Sequence, residues 1–114
     1  MAASIINIEE GHPPVEGAIR KLRLELGTLR RIGINQVKVI HGYGSSGVGG
    51  AIKAATHECL RTMKNEGRIR EFCPGELFGP FEPTGRAVIS ACSDFRKDPD
   101  WARQNDGITI VILK

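Results

Sequence analysis

His41, Gly42, Tyr43, Gly44, Ser45, Ser46 and Gly47 open the stretch "HGYGSSGVGG" at residues 41–50. One imidazole, one phenol and two hydroxyls stand there among five glycines. Glycine loses more backbone freedom on folding than any other residue and adds no side chain to a core. A connector with several positive-φ positions needs three or four glycines, and this run exceeds that need. A phosphate would use all of it. Glycines let the anion approach the backbone, a helix start offers unpaired N–H groups, and Ser45 and Ser46 offer hydroxyl donors. His41 could donate to the same anion when protonated. Tyr43 could stack on a base or brace the loop.

Two ligand classes fit these letters. Gly42 to Gly47 spell G-x-G-x-x-G between a strand and a helix, with Glu71 on the next strand available as a ribose acid. That is the pattern of a small nucleotide- or phosphate-binding enzyme. The chain is short for the usual dinucleotide sheet, and no Gly-Lys-Ser/Thr follows, which excludes a lysine-type phosphate loop. The other class is a polynucleotide. Residues 17–33 carry Arg20, Lys21, Arg23, Arg30 and Arg31 against Glu25 alone, a net of +4 in a chain whose total is +3. Such a segment is either a solvated helix face or an electrostatic footprint for phosphates. Arg20 and Arg23, with Lys53 after the loop, are the candidate phosphate contacts.

The elements that position these residues follow from periodicity. "SIINIE" (4–9) predicts a strand. Pro13 and Pro14 suit a first helical turn. Val15, Ala18, Ile19, Leu22, Leu26 and Leu29 predict an amphipathic helix ending near Gly33. "INQVKVI" (34–40) predicts a second strand. Val48, Ala51, Ile52, Ala55, Cys59 and Met63 predict a second helix closed at 65–67. "RIREFC" (68–73) predicts a third strand. "ITIVIL" (108–113) predicts a last strand covered on both faces. Residues 74–106 form an excursion packed on the domain, with a short helix within 84–95 and a second begun by Asp98 as N-cap and Pro99. Trp101 is expected to anchor it. His57 reads as a residue beside the polar helix face, and it makes no metal pair with Cys59.

At 114 residues and 40% hydrophobic content this is one domain. The expected class is α/β: a two-layer sandwich in the order β-α-β-α-β-(helical excursion)-β, with a four-stranded mixed sheet and two main helices. The longest apolar run is too short to cross a bilayer, so no membrane partner is expected. The start of the chain lacks a basic segment followed by an apolar one. Cys59, Cys73 and Cys92 are odd in number and scattered, which suits reduced thiols and a cytoplasmic location.

"HGYGSSGVGGAIKAA" resembles the loop of the Smr (small MutS-related) domain family. That loop reads His-Gly-x-Gly, continues with Ser/Thr and Gly, and lies between the second strand and second helix. The element order and the closing "GITIVIL" are similar too. The resemblance covers about residues 4–73 and 107–114, and the excursion is longer than the usual connection. It implies a fold like the C-terminal domain of bacterial translation initiation factor three. It also implies binding of DNA or RNA and, for some members, nicking or RNA endonuclease activity. Catalytic roles would then fall on His41 and Glu9. The first strand departs from the pattern of nuclease members, Leu-Asp-x-His. It reads Ile6-Asn7-Ile8-Glu9, so Asn7 replaces the aspartate and Glu9 the histidine. Phosphodiester hydrolysis needs a base or a metal ligand to activate the nucleophile. Glu9, Glu10 and His12 either substitute in part or form a solvated strand end. Binding therefore carries over better than cleavage, which is expected to be weak or absent. No cofactor is obligatory, and Mg²⁺ or Mn²⁺ would matter only to a nuclease. A third reading is an interaction module that uses the excursion as its surface.

Overall fold

The computed structural model describes residues 3–42 and 47–114, with the backbone alone at 47–49. Strand β1 (Ser4–Asn7) leads into helix α1 (Val15–Arg31), strand β2 (Gln36–Ile40) and helix α2 (Gly47–Asn65). Strand β3 (Ile69–Pro74), helix α3 (Pro83–Ala91) and strand β4 (Ile108–Leu113) complete the chain, with 3-10 turns at Gly75–Leu77 and Ser93–Lys97.

Both long helices start and stop for local reasons. Pro14 enters α1 extended, at φ −62° and ψ 158°. Ala18, Leu22 and Leu26 then return to one buried face every fourth residue. Gly33 ends the helix at φ 86°, where its N–H reaches Arg30 O at 3.1 Å and Ile34 N–H reaches Leu29 O at 2.9 Å. Gly67 ends α2 in the same way, at φ 75°. No helix among the described residues is long and apolar enough to cross a membrane.

The sheet order is β1-β2-β4-β3. β1 and β2 are parallel, and β4 runs antiparallel to both of its neighbours. The last strand thus slides between β2 and β3, and the sheet is mixed. This central place explains "ITIVIL". Val111 and Leu113 face the core under α1 and α2, with Ile6, Leu22, Val39 and Leu60. Ile108, Ile110 and Ile112 face a second core with Cys73, Phe78, Val88 and Phe95.

The sheet and two main helices form the two expected layers, and the excursion covers the other face of the sheet. Phe78 is its centre, edge-on to Phe95 at 5.9 Å and to Trp101 at 5.0 Å. Gly75 joins it to β4 at close range. A β-carbon there would lie 2.8 Å from Ile108 O and would also collide with Asn105 O, both backbone atoms that cannot turn away. The expected short helix forms as α3, with the Ser93–Lys97 turn after it. The helix expected from Asp98 does not form. Asp98 Oδ1 accepts the Asp100 N–H at 2.9 Å as a cap would, but the chain continues as turns, with Ala102 at φ 63° and Gln104 at φ 55°. Lys38, under the sheet, is the reason. Its ammonium donates to Asp98 at 2.7 Å and to Asp100 at 2.6 Å, and it pulls the segment down onto β2.

Candidate nucleic-acid interface at the glycine loop

His41 stands just beyond β2, fully buried. Its N–H and that of Gly42 both donate to Gly107 O at 3.1 Å. Its Nδ1 lies 3.0 Å from Gly42 O, and its Nε2 lies 2.8 Å from Thr109 Oγ1. The same hydroxyl lies 2.9 Å from His57 Nε2 on α2. These partners fix the protons. A carbonyl only accepts, so His41 Nδ1 carries hydrogen and the Nε2 of the neutral ring must accept. Thr109 has one hydroxyl proton, which it gives to His41. His57 Nε2 must then be a donor to Thr109. The result is one directed chain: His57 Nε2–H to Thr109 Oγ1, Thr109 O–H to His41 Nε2, and His41 Nδ1–H to Gly42 O.

The two rings meet edge to face at 5.6 Å. Burial pushes the pKa of both imidazoles down, His57 to about 4, where the neighbouring His41 adds to the effect. One turn of α2 before His57, Lys53 donates to Glu76 Oε2 at 2.7 Å. Lys53 lowers the pKa of both histidines and Glu76 opposes it.

A histidine whose folded pKa lies below its unfolded value withholds protons that the unfolded chain takes up. Stability is therefore full above about pH 6.5, the unfolded value, and falls as pH drops toward about 4. Urea unfolding is expected to show a lower midpoint at pH 5 than at pH 7. A His57→Gln protein, which keeps an N–H donor but does not titrate, is expected to show a flatter dependence. Equal slopes for the two proteins would contradict this assignment.

The other sequence candidates are placed as follows. The Glu9 carboxylate packs directly over the α-carbon of Gly42, whose φ of +84° and lack of a β-carbon permit that contact. Asn7 closes the turn after β1: its Oδ1 accepts the N–H groups of Glu9 and Glu10, each at 3.1 Å. Lys21 donates to Asn7 O at 2.7 Å, which places the first half of α1 at this end of the sheet. Arg20 and Arg23 are exposed along the same helix. Arg30 and Arg31 lie about 15 Å further along α1 than Arg20, in its last turn. There Arg23, Arg30 and Arg68 line a cleft of about 70 Å³. The basic helix thus spreads its charge along its length. The Lys53 ammonium is half-buried in its pair with Glu76. Tyr43, Gly44, Ser45 and Ser46 lie outside the described residues, and Gly47 opens α2.

Three residues not singled out for the site join it: His57, Thr109 and Glu76. Thr109 is the one polar letter in "ITIVIL", and His57 follows Lys53 by four residues; both were visible signals. Among the described residues no group of three or more His, Cys, Asp or Glu could hold a metal ion.

A four-stranded mixed sheet under two helices, with a glycine-rich segment between β2 and α2, defines the class: a small mixed α/β domain. The chain belongs to the Smr domain family, whose model matches residues 12–77. Among solved structures, the Smr domain of Thermus thermophilus MutS2 is similar in fold, with a TM-score of 0.60 and 20% identity. The match covers 98% of this chain and 99% of that one. No curated protein sequence matches.

Proposed function

We propose that this domain binds DNA or RNA through residues 43–47 of the glycine loop, with Arg20 of α1 as a phosphate contact. Gly42 drops out because the Glu9 carboxylate covers it and its N–H goes to Gly107 O. Arg23 drops out because it lines the cleft with Arg30 and Arg68. Smr domains in general bind nucleic acid. The observation that carries the reading here is the junction. The loop joins the carboxyl end of β2 to the first turn of a 19-residue helix that has no acidic residue there. A helix start of this kind attracts phosphate. In this reading His41 is a positioning residue and not the phosphate donor that its sequence position suggested, because its ring is buried and both nitrogens already have partners. Asn7, with its side chain engaged by two amides, leaves cleavage weak or absent with Mg²⁺ or with Mn²⁺.

The test is a titration against single- and double-stranded DNA and RNA at several salt concentrations. If about four to six phosphates are neutralised, the log–log slope of affinity against salt is about −3 to −5. A flat response, or tighter binding of a free mononucleotide, would contradict the reading in favour of a small-ligand site.

A further inference from the structure

We infer that the excursion carries a second binding site, a cleft for one unpaired nucleotide of a single-stranded nucleic acid. The cleft measures about 510 Å³ and lies between α3 and the turns that follow it. Arg86 and Arg96 stand on its exposed rim with Ser90 and Ser93, over a floor that includes Ile89 and Trp101. It therefore lies on the sheet face opposite α1 and α2, apart from the glycine loop.

Three observations give the chemistry of the occupant. First, the lining charge is cationic only. Arg86 donates one N–H to Pro80 O at 3.0 Å, and neither arginine has an ion-pair partner among the described residues. Second, Phe81, next in the chain to the lining Pro80, is 91% exposed. The large apolar residues Ile5, Leu24 and Ile32 reach only 63–68%. An aromatic ring so fully in water offers a stacking face. Third, the volume is of small-ligand size. Arginines for phosphate and aromatic rings for bases are the means by which proteins hold single strands. A duplex keeps its bases stacked inside and cannot present one to this cleft. An acidic peptide would use the arginines but give the exposed Phe81 ring nothing to stack on.

The proposal rests on the reading of the domain as a nucleic-acid binder, but it has its own readout. Trp101 is the only tryptophan in the chain, so its emission reports from this cleft alone. The experiment titrates the full chain with end-labelled oligothymidylate of about twelve nucleotides. A hairpin duplex of equal phosphate count and a poly-glutamate peptide are titrated in parallel. Probe anisotropy and Trp101 emission are followed together. Oligothymidylate is expected to quench Trp101, and the duplex is expected to bind without quenching. Phe81→Ala and Arg96→Ala are each expected to weaken oligothymidylate binding about five- to tenfold and to leave duplex binding unchanged. Both residues are exposed, and a thermal melt confirms that each variant is folded.

Oligothymidylate that binds without changing Trp101 emission, with parent affinity in both variants, would overturn the cleft and leave the loop reading standing. Quenching and affinity that persist unchanged in a Gly47→Val protein would support the cleft and count against the loop. An equal response to poly-glutamate would assign the cleft to acidic peptides and overturn the proposal. Failure of every probe to bind would overturn both.

Discussion

Replacing Thr109 with valine is expected to lower the unfolding free energy by about 2–4 kcal/mol. Valine nearly keeps the shape of threonine and suits a central strand, so packing is almost unchanged. What disappears is the hydroxyl that receives the His57 N–H at 2.9 Å and donates to His41 at 2.8 Å. A buried polar group left unpaired costs about 1–3 kcal/mol; here the buried His41 loses its donor and the half-buried His57 loses its acceptor. Thr109→Ser keeps the hydroxyl and is expected to recover most of the loss. Urea unfolding of the three proteins at pH 7 measures the effect. Nitrogen chemical shifts of the rings measure its cause, with hydrogen on Nδ1 of His41 and on Nε2 of His57. A valine protein as stable as the parent would mean that the hydrogen-bonded chain holds nothing together.

Replacing Lys38 with methionine is expected to cost about 3–5 kcal/mol. The ammonium sits between Asp98 and Asp100 with little exposure, and methionine would leave two carboxylates under the sheet without their cation. Burial pulls the Lys38 pKa down, but hydrogen bonds to Asp100 and Asp98 outweigh it and leave the pKa raised. Burial likewise works to raise Asp100, but the hydrogen bonds from Asn105 and Lys38 hold it below the ordinary value. The loss should be local. Amide exchange is expected to quicken across residues 75–106 more than in α1 or α2, with Trp101 emission moving to the red. Adding Asp98→Asn and Asp100→Asn to the methionine protein is expected to restore part of the stability, because the orphaned charges are then gone. A methionine protein with parent stability would contradict the clamp.

The elements with a strong period were legible in the sequence. Leu22 and Leu26 mark the inner face of α1, the glycines at 33 and 67 end the two helices, and "ITIVIL" announces a strand covered on both faces. The strand order was not legible. Nothing local in 108–113 says that β4 enters between β2 and β3, because pairing partners are chosen by the whole sheet. The candidate site shares that limit. The glycine run and His41 were visible as a group within ten residues. The Thr109 hydroxyl meets His41 across a separation of 68 residues and His57 across 52, and only the insertion of β4 creates those contacts. The helix expected from Asp98 failed for a related reason. Its cap letters were sound and Asp98 still accepts the Asp100 N–H, but a lysine 60 residues earlier also binds Asp98, and Asp100 beside it, and holds the segment on the sheet. Lys53 shows the converse: its sequence position suggested a phosphate contact, and Glu76, 23 residues away, occupies its ammonium.

The central claim is that the glycine loop holds nucleic acid. The most direct measurement compares Gly47→Val with the parent in affinity for a DNA or RNA oligonucleotide and in unfolding free energy. On the proposed reading a phosphate approaches the backbone at the start of α2, and a branched residue in place of the glycine there would hinder that approach. The account predicts that binding weakens about tenfold or more, which corresponds to about 1.4 kcal/mol. It predicts a stability loss of no more than about 1–2 kcal/mol. A Gly47→Val protein that binds as the parent does would contradict it and reduce the glycine run to a connector between strand and helix.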